Sequence, residues 1–275
     1  MKRLIFFLLF GFLLLAGVYT FYFPDVSVLK KKNPRTTSFM KYRETGWRAS
    51  GQQRKINQTW VPFARISPYL VKAIIIAEDA KFWSHEGFDY EAIQAAIESD
   101  LKLKKYKRGG STITQQLAKN LYLKPEKSLL RKIREAVITW KLERTLSKRR
   151  ILELYLNVVE WGDGLYGVEA ASRYYFAKPA SEVTAMEAAR LVSVLPNPRK
   201  YRPDGNQKYV EKRSTVIYQI MVERGIVVPE FEEMLHVKEP LVEISTPPAT
   251  GAPPLESFPS TAPVPVPPVT AGGSQ

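Results

Sequence analysis

The sequence has no cysteine and only two histidines among its 275 residues. The absence of cysteine excludes a disulfide framework, a cysteine-ligated zinc site, a cysteine nucleophile and a lipid anchor on an N-terminal cysteine. Two histidines, His85 and His236, are too few for a metal site built from several imidazoles. Acidic residues are scarce as well, because 41 Lys and Arg stand against 27 Asp and Glu. The resulting net charge of +14 predicts an anionic partner, such as a nucleic acid, an anionic lipid surface or a phosphorylated substrate.

The N-terminus contains a long stretch without charged residues. Residues 4–23 are uncharged and follow two basic side chains. Twenty helical residues at about 1.5 Å each match a hydrocarbon core of about 30 Å. A cleaved signal peptide is the alternative, but no small-residue cleavage site follows Ala16. We therefore predict a single transmembrane helix over residues 1–23. The two preceding basic residues favour a cytoplasmic N-terminus, although three lysines beyond the span weigh against that orientation.

The remainder of the chain divides by composition into three parts. Residues 24–59 are polar and basic, and they predict a stalk that leads to a folded domain. Residues 60–244 form the predicted domain. Residues 245–275 hold nine prolines and a single charged side chain, which predicts a disordered, proline-rich tail.

Helical spacing dominates the predicted domain. Apolar residues recur three and four positions apart, and alternating strand patterns are scarce, so we predict a mostly α fold. Thr184 and Glu187 have the spacing of a capping box, and Asp89 is a candidate cap after a turn at Gly87. The predicted helices cover residues 68–79, 90–103, 111–121, 128–146, 148–158, 184–194 and 208–223.

Two adjacent carboxylates end the first predicted helix of the domain. Glu78 and Asp79 follow a run of three isoleucines, Ile74 to Ile76, which should be buried. Burial raises the pKa of a carboxyl group, and a raised pKa suits acid or base catalysis near neutral pH. The alternative is that both acids face water at a helix end, and spacing alone favours this alternative.

A basic segment precedes the third predicted helix. Five cations within residues 102–108 lead into Gly109-Gly110 and then Ser111 and Thr112. Free N–H groups at a helix start, together with hydroxyls and cations, can bind phosphate oxygens. The spacing of a P-loop is absent, and a flexible basic loop with an N-cap is an equally valid interpretation.

A second candidate carboxylate lies in the most basic part of the chain. Residues 119–150 contain eleven Lys and Arg and three Glu, a net charge of +8. Arg131 and Glu135 are four residues apart and therefore one helical turn apart. They form either a surface ion pair of small energetic value or a buried carboxylate beside a phosphate-binding arginine.

Four blocks of sequence resemble the motifs of the peptidoglycan glycosyltransferases, the membrane-bound polymerases of the bacterial cell wall. They are E-D-x-x-F-x-x-H-x-G-x-D over residues 78–89, G-G-S-T-I-T-Q-Q-L-x-K-N over 109–120, R-K-x-x-E over 131–135 and R-I-L-E-L-Y-L-N over 150–157. The second block is long enough to be specific. Two shorter blocks, W-G-D-G from residue 161 and L-P-N-P from residue 195, resemble the monofunctional members, which lack the penicillin-binding transpeptidase domain.

The resemblance implies a lysozyme-like, mostly α-helical glycosyltransferase domain that follows a single transmembrane helix. It implies transfer of a lipid-linked glycan chain to the 4-hydroxyl of lipid II, with release of undecaprenyl diphosphate. Glu78 would be the general base and Glu135 would serve the donor side, while Lys119 and Arg131 would hold the diphosphate. The other substrate-binding residues implied are Ser111, Thr112, Gln115, Gln116, Asn120, Arg108, His85 and Asp79.

The resemblance also implies partners and a location. It implies a divalent cation, Mg²⁺ or Mn²⁺, without identifying the ligands. The implied partners are lipid II, the nascent glycan, the membrane and other proteins of cell-wall synthesis. The domain would lie on the periplasmic side of the inner membrane, and no nucleic-acid-binding module is recognisable. The alternatives are a lysozyme-like enzyme that cleaves the same glycan and a non-catalytic, membrane-tethered scaffold.

Overall fold

Nine α-helices and a small sheet make up the part of the chain that the computed structural model describes. That part comprises residues 23–103, 110–126 and 128–228, with four isolated residues nearer the N-terminus, at positions 5, 7, 10 and 11. The helices are α1 Ser38–Ala49, α2 Pro68–Glu78, α3 Tyr90–Leu103, α4 Ile113–Tyr122, α5 Leu129–Thr145, α6 Lys148–Val158, α7 Val168–Phe176, α8 Ala185–Ser193 and α9 Lys208–Glu223. Short 3₁₀ turns occupy Ser27–Lys30, Phe63–Arg65 and Ala180–Glu182. The prediction of a mostly α fold is confirmed.

Local sequence signals set the starts of most helices. Thr184 and Glu187 form the predicted capping box before α8, and the Asp89 side chain accepts a bond from the N–H of Ala92 at the start of α3. Gly87 adopts a φ of +90° in the turn before Asp89, a conformation that glycine tolerates without steric cost. Helix boundaries were predictable here because capping depends on residues adjacent in the chain.

The core is built around two helix packings. Helix α4 packs against α5 and α6, and helix α8 packs against α2 and α9. Apolar side chains of α2 and α4, including Ile74 and Leu117, are fully buried at these contacts. The buried isoleucine run excludes the alternative that the end of α2 lies in solvent, because the helix is held within the core up to its last turn.

A three-stranded sheet lies beside the helices. Strand β1 (Asn57–Gln58) pairs in parallel with β3 (Leu165–Tyr166), and β2 (Glu160–Gly162) pairs antiparallel with β3. The order in the sheet is therefore β1-β3-β2, and a bulge interrupts the β2 pairing. Strands this short give little alternation, so their sequence pattern did not predict them.

The prediction of a stalk over residues 24–59 is wrong for most of that segment. Within residues 24–59 lie a 3₁₀ turn, helix α1 and strand β1, and the side chains of Val26, Leu29, Met40 and Trp47 are buried. The composition of the segment is polar and basic, yet these four apolar side chains are buried. The folded domain therefore begins well before the predicted boundary at residue 60.

Asn157 joins this N-terminal segment to helix α6. Its side-chain oxygen accepts a bond from the N–H of Val61 at 2.8 Å, and its amide nitrogen donates to the Val61 carbonyl at 2.9 Å. Its backbone carbonyl also accepts from the Gln58 side chain at 2.7 Å. Because Asn157 is fully buried, these bonds replace water for backbone groups that would otherwise be unpaired.

The predicted transmembrane helix and tail lie almost entirely outside the described residues. Within the described residues, no helix has both the length and the apolar character needed to cross a membrane. The chain divides into two units after Glu233, and the second unit, Met234–Gln275, contains the predicted tail and lies outside the described residues.

We expect Asn157→Leu to destabilise the domain strongly. The substitution keeps the approximate volume but leaves the Val61 N–H and carbonyl without their partners, at about 1–3 kcal/mol for each buried group. Thermal unfolding of the full chain in detergent, followed by circular dichroism, measures the effect. Asn206→Leu is the control because Asn206 is exposed. An equal, small shift in both variants would contradict the role given to Asn157.

Candidate active site

Glu78 is the last residue of α2, and it lies where α2, α4 and α9 approach one another. Its side chain is 13 % exposed, so it is neither sealed in the core nor free in solvent. The Gln116 amide nitrogen donates to its Oε2 at 2.9 Å, and the Arg213 guanidinium lies 3.3 Å from its Oε1. The carboxylate is thus held from two helices while one edge remains accessible.

Burial and charge act in opposite directions on Glu78. Burial raises the pKa of Glu78 above its ordinary value, while the Gln116 hydrogen bond and the nearby cations Arg213 and Lys119 lower it. The adjacent carboxylate of Asp79 raises it further, and burial is the largest of these effects. The net result is a carboxyl group whose pKa is raised towards neutrality and which is therefore a better proton acceptor than a surface glutamate.

Tyr155 orients the amide that binds Glu78. Its hydroxyl donates to Gln116 Oε1 at 3.0 Å, and this leaves the Gln116 nitrogen to face Glu78. Tyr155 is fully buried, and burial raises its pKa well above the ordinary value, so it remains a donor. A chain of hydrogen bonds therefore runs from Tyr155 through Gln116 to Glu78, and each residue donates to the next.

The neighbouring carboxylate, Asp79, makes a different set of contacts from Glu78. Its Oδ2 accepts from the N–H of Ile113 at 2.9 Å, and its Oδ1 lies 2.9 Å from His85 Nε2. His85 Nδ1 accepts from the N–H of Gly87, so a neutral imidazole carries its proton on Nε2 and donates it to Asp79. These bonds connect the end of α2 to the start of α4, and the assignment of Asp79 and His85 as substrate-binding residues stays a prediction.

Three more residues that were predicted to bind substrate form hydrogen bonds within the protein. Thr112 and Gln115 form a reciprocal capping box at the start of α4, and the Thr112 hydroxyl donates to the Gly87 carbonyl at 2.7 Å. Both side chains are buried. Asn120 is buried too, and its amide donates to the Gln116 carbonyl at 2.9 Å. These bonds stabilise helix α4, and the assignment of the three residues as substrate contacts stays a prediction.

Glu135 is a buried carboxylate bound by two cations. Its side chain is 4 % exposed, Arg131 NH1 lies 2.6 Å from its Oε2, and Lys132 Nζ contacts its Oε1. The alternative of an exposed surface ion pair is therefore wrong. Lys132 Nζ also lies 3.5 Å from the Ser111 hydroxyl, which brings the start of α4 to the same cluster.

The cations around Glu135 have unused hydrogen-bond donors. The Nε of Arg131 is buried and has no hydrogen-bond partner within the described residues. A cavity of about 390 Å³ adjoins Arg131, and its lining includes Tyr122 and Lys124. An unpaired buried guanidinium donor beside a cavity suits an anionic ligand, because phosphate oxygens can accept the remaining bond.

The charges of both glutamates affect the pKa of Lys119. Lys119 is half-buried on α4, and burial lowers its pKa from the ordinary value. The charges of Glu135 and Glu78 raise that pKa, and those of Arg131 and Lys132 lower it further. The pKa of Lys119 therefore depends on both carboxylates, and Lys119 couples the Glu78 side of the site electrostatically to the Glu135 side.

Sequence reasoning missed three of these side chains. Arg213 was assigned only to the last helix, although it lies three residues after the buried Val210, on the inward stripe of α9. A cation on an apolar helix face was the available signal. Lys132 and Tyr155 lay inside quoted motifs but received no function. Arg108, predicted to bind substrate, lies outside the described residues.

The donor set does not fit a divalent cation held by the protein alone. No group of three or more acidic or imidazole side chains comes together in the described ranges. Both oxygens of Glu135 are bound to cations, and those of Glu78 contact Gln116 and Arg213. A Mg²⁺ ion uses few protein carboxylates when phosphates supply the other ligands, so any cation here would depend mainly on substrate oxygens.

The sequence matches a known family and its curated members. The family model described as Transglycosylase matches residues 46–222, more than half of the chain. The chain is 44 % identical over 216 residues to a biosynthetic peptidoglycan transglycosylase of Nitrosospira multiformis, covering 78 % of this chain and 94 % of that protein.

Two further relatives carry the same name. The one from Paraburkholderia xenovorans is 48 % identical over 203 residues, covering 73 % of this chain and 84 % of the relative. The one from Azoarcus sp. is 49 % identical over 194 residues, covering 70 % and 84 %. With the family model covering both glutamates and the helices that hold them, the chain belongs to the transglycosylase family.

Proposed function

We propose that this protein polymerises the glycan strands of peptidoglycan. It transfers a lipid-linked glycan chain to the 4-hydroxyl of lipid II and releases undecaprenyl diphosphate. The observation that carries the proposal is a two-sided site, with a desolvated carboxylate at Glu78 and a cluster of cations around Glu135. Family membership and the names of the relatives support the same activity.

On the acceptor side, Glu78 takes the proton of the sugar 4-hydroxyl as that oxygen attacks. The deprotonated oxygen then forms a bond to the anomeric carbon of the donor chain. Gln116 and Arg213 hold the carboxylate in one orientation, so that its free edge faces the acceptor. The raised pKa of Glu78 increases its strength as a base at neutral pH.

On the donor side, the bond between the anomeric carbon and the diphosphate oxygen breaks. The negative charge that develops on the leaving diphosphate is stabilised by Lys119, Arg131 and Lys132. Glu135 holds the last two in place through its ion pairs, which fixes them before the charge develops. Ser111 lies beside Lys132 and can donate its hydroxyl to the same ligand.

The ion pairs of Glu135 favour a transferase over a lytic enzyme. A glycosidase needs one protonated carboxyl to donate a proton to a poor leaving group. Each oxygen of Glu135 is bound to a cation, so neither is free to donate a proton to a leaving group. A diphosphate leaves without protonation when fixed cations face it, and this is the arrangement around Glu135.

We also propose the location that the sequence implies. A single N-terminal helix anchors the chain in the inner membrane, and the domain lies on the periplasmic side. Both enzyme and lipid-linked substrate would then diffuse in one plane. Association with other cell-wall synthesis proteins remains part of this proposal, as does a divalent cation carried mainly by the diphosphate oxygens.

Incubation of the purified full-length protein with lipid II and Mg²⁺ tests the activity. Glycan polymer and released undecaprenyl diphosphate are the expected products. Cleavage of preformed glycan without any polymer would show the lytic alternative. The absence of both reactions would favour the non-catalytic scaffold.

We expect Glu78→Gln to reduce polymerisation by about 10²–10⁴-fold, the usual contribution of a general base. The amide is isosteric and can still bond to Gln116, so the fold should survive, as circular dichroism will show. Glu44→Gln is a matched control, because Glu44 lies on α1, which supplies none of the side chains described in the site. Unchanged turnover in the Glu78 variant would refute its assignment as the base.

We expect kcat/KM to fall at acidic pH as Glu78 becomes protonated, with an inflection above the ordinary range of a glutamate. Since the Gln116 bond lowers the Glu78 pKa, Gln116→Met should move this acidic inflection to higher pH. Tyr155→Phe should move it the same way by releasing the amide. An inflection that stays in place in both variants would contradict the hydrogen-bond chain.

We expect the alkaline limb of the same profile to report Lys119, which must stay protonated to hold the diphosphate. Burial lowers its pKa and Glu135 raises it, so Glu135→Gln should shift the alkaline inflection to lower pH. The measurement is kcat/KM against pH for the wild type and Glu135→Gln. A loss of activity without any shift would mean that Glu135 acts only through Arg131 and Lys132.

A further inference from the structure

A second cationic groove lies outside the candidate active site. It has a volume of about 350 Å³ and is bounded by the β-sheet, helix α7 and the segment that follows α8. Its lining includes four basic side chains, Arg54, Lys55, Arg199 and Arg202, none of which the catalytic proposal uses.

The cations of the groove outnumber the carboxylates that contact them. Asp163 is shared by Arg54 and Arg199, the latter at 3.3 Å, and Arg202 pairs with Asp204 at 2.8 Å. Lys55 makes no ion pair within the described residues and is exposed. Asp163 therefore fixes two guanidinium groups in position while leaving most of their N–H donors available to a ligand.

An exposed aromatic ring forms part of the groove wall. Tyr174 is 59 % exposed, and the Arg202 guanidinium lies 5.9 Å from the centroid of its ring. Gly162 and Gly164 also line the groove but are buried. An added Cβ would come within 2.5 Å of the Tyr175 hydroxyl at Gly162 and within 3.0 Å of the Trp47 ring at Gly164, so close packing within the protein requires glycine at both positions.

We propose that this groove binds a carboxylate-bearing glycopeptide, the repeating disaccharide-peptide unit of peptidoglycan. Guanidinium and ammonium groups pair with carboxylates, and an exposed tyrosine ring offers an apolar face to a sugar ring. The groove thus holds a part of the polymer away from the reacting ends. The choice of ligand rests on the proposed function, because the product of that reaction is a carboxylate-bearing polymer.

The exposed apolar side chains argue against a lipid as the occupant. Tyr174 is the exposed large hydrophobic residue of the groove lining, and it carries a hydroxyl. In the described part of the chain, exposed aliphatic residues cluster instead on α5, where Leu129 is 79 % exposed and Leu130 and Ile133 are also exposed. Beside the four cations, the aliphatic lining is limited to the partly exposed Pro198 and the buried Leu165, which is little surface for a lipid tail.

Titration of the full-length protein in detergent with a soluble disaccharide-peptide, prepared by muramidase digestion of peptidoglycan, tests the inference. We expect Lys55→Glu and Arg199→Gln each to weaken binding by about tenfold. Arg224→Glu is the control, since Arg224 is exposed and does not line the groove. Lys55→Glu breaks no ion pair of the described residues, so misfolding is not expected to confuse the result. Equal binding by all variants would overturn the proposal.

Three further probes identify the ligand chemistry. The same disaccharide-peptide with its carboxyl groups amidated should bind at least about tenfold more weakly, and equal binding would overturn the carboxylate assignment. Inorganic phosphate that competes as well as the glycopeptide would also overturn it. Phosphatidylglycerol vesicles bound more tightly through Lys55 than the glycopeptide would identify the groove as a lipid site.

Two controls separate this inference from the proposed function. Loss of glycopeptide binding in Lys119→Met but not in Lys55→Glu would assign the ligand to the catalytic site and overturn the inference. Lipid II polymerisation is measured in parallel on Lys55→Glu. Polymerisation without glycopeptide binding by the wild type would refute the groove alone, whereas binding without polymerisation would refute the proposed function alone.

Discussion

The geometry of the candidate site depends on the hydrogen bonds of the buried Asp79 carboxylate. The carboxylate accepts from the first N–H of α4 at Ile113 and contacts the His85 ring, so it joins the end of α2, the following turn and the start of α4. Glu78 is the adjacent residue, and Gln116 lies one turn into α4. The bond between these two side chains therefore requires the Asp79 contacts, because they fix the distance between the helices.

The two glutamates of the site, Glu78 and Glu135, lie in different environments. Burial is the largest effect on Glu78 and raises its pKa, although Arg213 and Lys119 lower it. Glu135 is more deeply buried and is held directly by Arg131 and Lys132. In the proposed mechanism, a glutamate therefore serves as the proton acceptor in one place and as the organiser of cations in the other. Lys119 couples the two sides, because its pKa depends on both glutamates.

Signals that are local in sequence predicted the fold best. Capping residues and apolar spacing predicted seven helices, α2 to α6, α8 and α9, with boundaries close to those observed. Helix α1 was missed because it lies in a segment of polar and basic composition, although its Met40 and Trp47 are buried. Strand β1 was missed because two residues are too few to show an alternating pattern. In the site, the motifs identified both glutamates as candidate catalytic residues. They could not show that Thr112 and Gln115 bond to each other, or that Arg213, 135 residues after Glu78 in the chain, reaches its carboxylate.

In the proposed reaction, the donor glycan is transferred to a sugar hydroxyl and not to water. A single reaction with lipid II distinguishes the two outcomes when undecaprenyl diphosphate, new glycosidic bonds and new reducing ends are all counted. We predict one new glycosidic bond for each diphosphate released and no new reducing ends. Release of diphosphate with an equal number of reducing ends and no polymer would show transfer to water instead.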